Sequence, residues 1–309
     1  MSEWNTIESD AGVFTELIER LGVEGAEFEE LLSLDSDSLR QIHPLYGVIF
    51  LFKYRRSESA NGPKEHPIDG AYDEDGAVFF AHQKIQNACA TQAVLSLILN
   101  NDKILNVGEE LKEFKEFVEA FDADLKGETI SNSDTIRTVH NSFSRPNPFV
   151  DDSDQPPVGE DDDGLYHFIA YVPFGGKLYE LDGLHPYPIS HGECNAEDFY
   201  VKLPEVLSKR ISRAPEGEMR FNLLALTQDK RILLNASGDT AGLVQEELKR
   251  QGWRRENSLR RENFIGLIYE VIRGMARKCS KEEWNSVIER GRAESKRQLE
   301  ARQMRNDYN

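Results

Sequence analysis

Apolar positions along the chain fall into three patterns. After Ser9 and Asp10, both good helix caps, "GVFTELIERLG" sets Val13, Phe14, Leu17, Ile18 and Leu21 at helical spacing and stops at Gly22, which predicts an amphipathic helix. "LYGVIFLFKY" is a short, continuously apolar run bounded by polar clusters, the pattern of a buried strand. From Cys89 onward, "CATQAVLSLILN" is apolar almost all round the helical wheel, so that helix is expected to be central and buried. "VGEELKEFKEFVEAFDADLKG" reads as one amphipathic helix and "SNSDTIRTVHNSFS" as another, capped by Ser131 or Ser133. "LYHFIAYVPFGGKLYELDG" holds two apolar runs around Pro173-Phe174-Gly175-Gly176 and predicts a hairpin; "MRFNLLAL" predicts one more strand. "RSESANGPKEHPIDGAYDEDG" reads as a surface loop. "RPNPFVDDSDQPPVGEDDDG" is a longer, acidic one, and a loop of that length in a compact domain is a lid, a binding loop or disordered.

Beyond residue 226 the pattern changes. "RILLNASGDTAGLVQEELKRQGWRREN" mixes turn residues with charge, and "NFIGLIYEVIRGMARKC" and "EEWNSVIERGRAESKRQLEARQMRN" read as two helical segments. The expected organisation is a domain over 1–226, a linker over 227–250 and a helical extension over 251–309. Charge supports two parts. The net charge is −18, yet residues 251–309 carry 14 Lys+Arg against 9 Asp+Glu, leaving 23 against 46 for residues 1–250. An acidic body disfavours nucleic acid and favours a basic ligand, or serves solubility alone. Three cysteines, Cys89, Cys194 and Cys279, form no paired framework, which fits a reducing compartment. The start "MSEWNTIESD" lacks a basic-then-apolar signal pattern, and no apolar run is long enough for a bilayer, so a soluble intracellular protein without membrane attachment is expected.

Cys89 is the candidate for chemistry. A helix opening at a cysteine aims free N–H groups and its positive dipole end at the sulfur, which stabilises a thiolate. Such a nucleophile needs a base and a group to orient the base. If Phe174 and Gly175 are the central turn residues, partner numbers sum to 349 and His167 faces Asp182, within imidazole-to-carboxylate reach. A glycine bulge would shift that register. Each residue also has a plain reading: Cys89 as core filling, His167 as an ordinary strand residue, Asp182-Gly183 as a turn. A metal site from His185, His191 and Cys194 has poor spacing and no fourth ligand, so neither metal nor cofactor is expected.

"QKIQNACATQA", "HFIAYV" and "LYELDG", in that order and spacing, resemble the ubiquitin carboxyl-terminal hydrolases, a papain-like family of cysteine proteases. The resemblance covers about residues 3–226. It implies an α/β (α+β papain-like) fold, with a central antiparallel sheet flanked by helices and a buried catalytic helix. It also implies Cys89 as nucleophile, His167 as general base and then acid, Asp182 as the residue orienting the imidazole, and Gln83 as oxyanion donor beside the Cys89 N–H. The acidic loop corresponds to the family's crossover loop, about Asn147–Gly164, with Asn147, Phe149, Asp151, Asp152, Asp154, Asp161, Asp162, Asp163 and Gly164 near the passage of the substrate tail. "WNTIESDAGVFTELI" resembles the family's ubiquitin-contacting amino terminus, which puts Ser9, Asp10, Val13 and Phe14 forward as ubiquitin-binding residues.

The tail resembles the extension of the family's proteasome-associated branch. It implies docking, through about 251–309, on a ubiquitin receptor of the proteasome regulatory particle and, in some organisms, on a chromatin-remodelling complex, with a cytoplasmic and nuclear location. The expected activity is thiol-dependent hydrolysis after the terminal glycine of ubiquitin in ubiquitinated proteins. The alternative is a catalytically idle ubiquitin-binding adaptor recruited through the same extension.

Overall fold

The computed structural model describes residues 4–53, 66–144, 166–212 and 221–307. The chain divides into two units, 1–145 with 164–261 and 146–163 with 262–309. The first is built on a seven-stranded antiparallel sheet. Its order is β1 (Ala26–Glu30), β7 (Phe221–Gln228), β2 (Leu45–Lys53), β4 (Tyr166–Phe174), β5 (Lys177–Leu181), β6 (Ile189–Glu193) and β3 (Ala71–Tyr72). Central strands read as continuous apolar runs because both faces are covered. In β4, Phe168, Ala170 and Val172 enter one core with α1 (Ala11–Arg20) and α3 (Cys89–Asn100). Ile169 and Tyr171 enter a second core with Leu39 of α2 (Ser36–Gln41) and with Phe199, Leu203 and Leu207 of α7 (Phe199–Ile211). Every residue of α3 is buried, as its all-round apolar wheel predicts.

Local chemistry revises several expectations. The single helix expected over 107–127 is two, α4 (Gly108–Val118) and α5 (Ala123–Asn132), because Asp122 caps the Leu125 N–H and restarts the chain. Ser133 is the cap of α6 (Asp134–Asn141). β3 lies inside the stretch expected to be loop, where Ala71 and Tyr72 pair with β6.

The segment 227–250 is not a linker. It holds the end of β7, all of α8 (Lys230–Ser237) and half of α9 (Thr240–Arg260), and the first unit extends to residue 261. α9 packs on α1. A Cβ on Gly12 would come within 2.5 Å of the Trp253 ring, so glycine is what lets the indole sit against that helix. Asn257 donates to the Gly12 carbonyl and to Glu16, and Arg260 reaches Asp10 and Glu8, both at 3.1 Å. Deeper in, Arg250, 2% exposed, meets Glu27 at 2.6 Å and Glu19 at 2.8 Å.

The second unit contains α10 (Ile265–Lys278) and α11 (Lys281–Asp307). α10 exposes Leu267, Ile268, Tyr269, Val271, Ile272 and Met275. Among the described residues no helix is long and apolar enough to cross a membrane.

Candidate active site

Cys89 is the first residue of α3, entered from a short 3-10 turn, Gln86–Ala88, and no side chain caps this helix start. The first-turn N–H groups and the positive end of the helix therefore face the thiol without a competing capping oxygen. The lower end of the helix is just as important. Asn100 accepts from the Phe79 N–H at 2.7 Å and donates to the Phe79 carbonyl at 2.9 Å, while Gln92 donates to the Ala81 carbonyl at 2.6 Å. These two buried amides tie the segment before the helix to its flank.

Gln83, half-buried, lies on that segment. Its backbone N–H donates to the Gly183 carbonyl at 2.9 Å, and the neighbouring His82 N–H donates to Ala123 at 2.8 Å. Glycines permit both approaches: a Cβ on Gly183 would collide with Gln92 and with the Gln83 backbone, and one on Gly127 with the His82 carbonyl. The Asp182-Gly183 pair is thus more than a turn signal. Gly183 lets the loop carrying Asp182 press on the segment carrying Gln83.

The hairpin register differs from expectation. Gly175 and Gly176, with φ of 57° and 80°, are the two central turn residues, so Phe174 pairs with Lys177 and Ala170 with Leu181. A two-residue hairpin turn of this kind needs positive φ at both centres, which two glycines supply and Phe174 would not. His167 therefore does not lie directly opposite Asp182. The shift is by two residues, which preserves the face, and Asp182, just past the last ladder pair, reaches back diagonally. His167 Nε2 lies 2.7 Å from Asp182 Oδ1, both residues being buried.

Electrostatics follows from this pairing. Burial opposes a charged imidazole, but the Asp182 carboxylate, its hydrogen bond and a hydrogen bond with Cys89 outweigh it and raise the His167 pKa. Burial likewise opposes the Asp182 carboxylate, and His167, His185 and the Leu184 N–H together hold it below the usual range. With Nε2–H committed to Asp182, Nδ1 is the ring nitrogen left for the Cys89 thiol. Three segments distant in sequence thus bring a thiol, an imidazole and a carboxylate together.

His140 and Trp4 brace the start of α3, and sequence reasoning missed both. His140 Nε2 contacts the Asn5 carbonyl at 2.6 Å and Nδ1 contacts Thr91 Oγ1 at 2.7 Å. Burial lowers its pKa to about 4, so the ring is neutral, donating to the carbonyl and accepting from the hydroxyl. Asn87 donates to the Trp4 carbonyl at 2.9 Å. A buried polar pair of this type leaves no hydrophobic periodicity to read.

The four amino-terminal candidates fare differently. Val13 and Phe14 are fully buried, with Phe14 packed on Phe28 and Phe168, so neither presents a surface to a partner. Their spacing is that of a core stripe. Asp10 caps α1 through the Val13 N–H and pairs with Arg260, and the Ser9 hydroxyl accepts from Asn222. The crossover-loop candidates Asn147, Phe149, Asp151, Asp152, Asp154, Asp161, Asp162, Asp163 and Gly164 lie outside the described residues. Among the described residues no group of three His, Cys, Asp or Glu side chains is placed to hold a metal. His191 instead meets Glu180 at 3.0 Å and His185 meets Tyr72 at 2.9 Å.

Comparison with known proteins gives concordant results. A family model described as ubiquitin carboxyl-terminal hydrolase, family 1, matches residues 4–212, and a second, ubiquitin carboxyl-terminal hydrolases, matches 240–279. Ubiquitin carboxyl-terminal hydrolase 2 of Schizosaccharomyces pombe is 45% identical, covering 94% of this chain and 97% of its own. Ubiquitin carboxyl-terminal hydrolase isozyme L5 of Dictyostelium discoideum is 34% identical over 89% of this chain and 92% of its own. The crystal structure of Trichinella spiralis UCH37 bound to ubiquitin vinyl methyl ester superposes with a TM-score of 0.62 at 30% identity, covering 84% of this chain and all of that one.

Proposed function

The chain belongs to family 1 of the ubiquitin carboxyl-terminal hydrolases, and from that premise we propose how its residues divide the work. It is a deubiquitinating cysteine hydrolase that binds ubiquitin and cleaves the amide or isopeptide bond after its carboxyl-terminal glycine. In the proposed sequence Cys89 Sγ attacks that carbonyl carbon while its proton passes to His167. Negative charge on the carbonyl oxygen is met by Gln83 and the Cys89 backbone N–H. His167 then protonates the departing amine, leaving a thioester. A water, giving its proton to His167, attacks the thioester and releases the ubiquitin carboxylate and the thiol. Asp182 keeps the imidazole in the tautomer and orientation both half-reactions need.

The observation that carries this assignment is the hydrogen-bonded line from Cys89 through His167 to Asp182. Its test is ubiquitin bearing a fluorogenic amide at its carboxyl terminus. The wild type is expected to release the fluorophore, and Cys89→Ala to bind ubiquitin without turnover. Turnover surviving in Cys89→Ala would overturn the assignment.

The proposal extends to the second unit, as the part that docks on a ubiquitin receptor of the proteasome regulatory particle or on a chromatin-remodelling complex, with a cytoplasmic and nuclear location. Support comes from the exposed apolar side chains of α10 and from the family match that spans α9 and α10. A chain ending at Arg261 is expected to hydrolyse the fluorogenic substrate yet no longer co-sediment with proteasomes. Co-sedimentation of that shortened chain would refute the docking assignment.

A further inference from the structure

Asp182 has two oxygens, and the catalytic imidazole uses one. Oδ1 accepts from His167 Nε2 at 2.7 Å and from the Leu184 N–H at 3.0 Å. Oδ2 faces a second histidine, with His185 Nε2 at 3.8 Å. That separation is too long for a hydrogen bond but within the reach of a charge or of an N–H dipole. His185 is itself held. Its Nδ1 lies 2.9 Å from the Tyr72 hydroxyl, and the Tyr72 ring meets the Tyr187 ring edge-on at 6.0 Å.

The chemistry of this contact fixes the tautomer. Burial, with Asp182 and Glu180 nearby, raises the Tyr72 pKa, so the phenol keeps its proton and can donate it to Nδ1. With Nδ1 accepting from the Tyr72 hydroxyl, the N–H of His185 is on Nε2, the nitrogen turned toward Asp182. Tyr72 stands on β3, the edge strand, so a residue 113 positions from His185 in sequence is tied to the carboxylate through one imidazole.

We propose that His185, aligned by Tyr72, is a positioning residue: it holds the outer oxygen of Asp182 so that the inner one stays on His167. The inference rests on the assignment of Asp182 and His167 given above. A carboxylate can rotate about its Cβ–Cγ bond, and its hold on a histidine depends on orientation as well as distance. The Leu184 N–H and His167 both pull on Oδ1; the positive end of the His185 N–H dipole, 3.8 Å from Oδ2, disfavours rotation of the carboxylate away from that orientation. The titratable groups facing His185 are Asp182 and Tyr72, with His167 beyond the carboxylate. In this role no proton is transferred through His185.

The experiment measures kcat and KM for the fluorogenic ubiquitin amide across pH, with the full chain, for His185→Ala, His185→Gln, Tyr72→Phe and Asp182→Ala. His185→Ala is expected to lose roughly tenfold in kcat with KM unchanged, the low end of what losing an outer partner of a metal-bound histidine costs. Its alkaline limb should move to lower pH, because a loosened Asp182 supports the protonated imidazole less. His185→Gln, which restores an N–H donor, should recover part of both effects, and Tyr72→Phe should show the same changes in smaller measure. If Asp182→Ala collapses kcat while His185→Ala leaves both kcat and the alkaline limb unmoved, the positioning role is overturned. A His185→Ala effect confined to thermal stability also overturns it. If Asp182→Ala itself retains full activity, the underlying assignment fails instead.

Discussion

At the catalytic pair one buried imidazole meets one buried carboxylate, whereas beneath α9 three cations, Arg231, Lys249 and Arg250, are shared among Glu19, Glu27, Asp229 and Glu246. Both sites hold buried charges, and the difference lies in the balance. In the first, burial penalises both charges, but each has a matched partner, so the His167 pKa rises and the Asp182 pKa falls. In the second, acids outnumber bases. Burial raises Glu27 to about 7; Lys249 and Arg250 pull it down, but Glu246 and Asp229 push it up again. A balanced pair sets the chemistry of a site, and an unbalanced cluster fixes one helix on another while keeping a carboxyl poised to take up a proton.

The largest effect should separate the two roles. Asp182→Asn is expected to lower kcat by roughly a thousandfold or more, as in other triads whose orienting carboxylate is lost, while its urea midpoint falls by less than that of Arg250→Met. Its sign with pH is fixed: a raised His167 pKa marks a protonated form favoured up to alkaline pH, so removing the carboxylate should pull the alkaline limb of kcat/KM downward. Arg250→Met should do the opposite. Leaving buried carboxylates without their central cation costs about 3–5 kcal/mol, read as a lower urea midpoint, while the folded fraction keeps the kcat of the wild type. An Arg250→Met protein that lost kcat but not stability would erase the distinction drawn here.

The smallest expected effect concerns pH and stability. A carboxyl whose folded pKa lies above its unfolded value of 4.5 binds a proton in the folded state first, so its contribution is full at low pH and declines as pH rises toward 7. Glu27 should therefore weaken the fold over that interval by on the order of 1–3 kcal/mol, and Glu27→Gln should flatten the trend in thermal melts taken at a series of pH values. The catalytic pair works against this trend at the acid end. Asp182, with its lowered pKa, stabilises above its unfolded value and loses that contribution only as pH falls through the folded one.

The same contrast explains what could be read from the sequence. Apolar periodicity located α1, α3, β2, the β4–β5 hairpin and β7, because in those elements the buried side chains are hydrocarbon. The face shared by His167 and Asp182 was legible from parity, although the register was not, since only the backbone geometry of Gly175-Gly176 selects it. α9 was read as turn and charge because its buried residues are Glu246, Arg250 and Asn257. β1, "AEFEE", was hidden for the same reason: Glu27 is buried in an ion pair where a strand pattern would show an apolar residue. Val13 and Phe14 illustrate the converse. The resemblance of their segment to a ubiquitin-contacting amino terminus puts them forward as binding residues, yet burial assigns them to the core. Gln92, Asn100 and His140 hold the active site together through hydrogen bonds to backbone or hydroxyl, and such contacts leave no spacing rule behind.

The seating of α9 on α1 joins residues 245 positions apart at Gly12 and Asn257, and 250 apart at Asp10 and Arg260. For a chain leaving the ribosome, α1 emerges well before the helix that covers it. At ~5–20 residues per second the interval is roughly tens of seconds. During that time Gly12, Glu16 and Glu19 lack the helix that will cover them, so the newborn protein needs either a chaperone's tolerance or an α1 that stays loosely folded until its partner arrives.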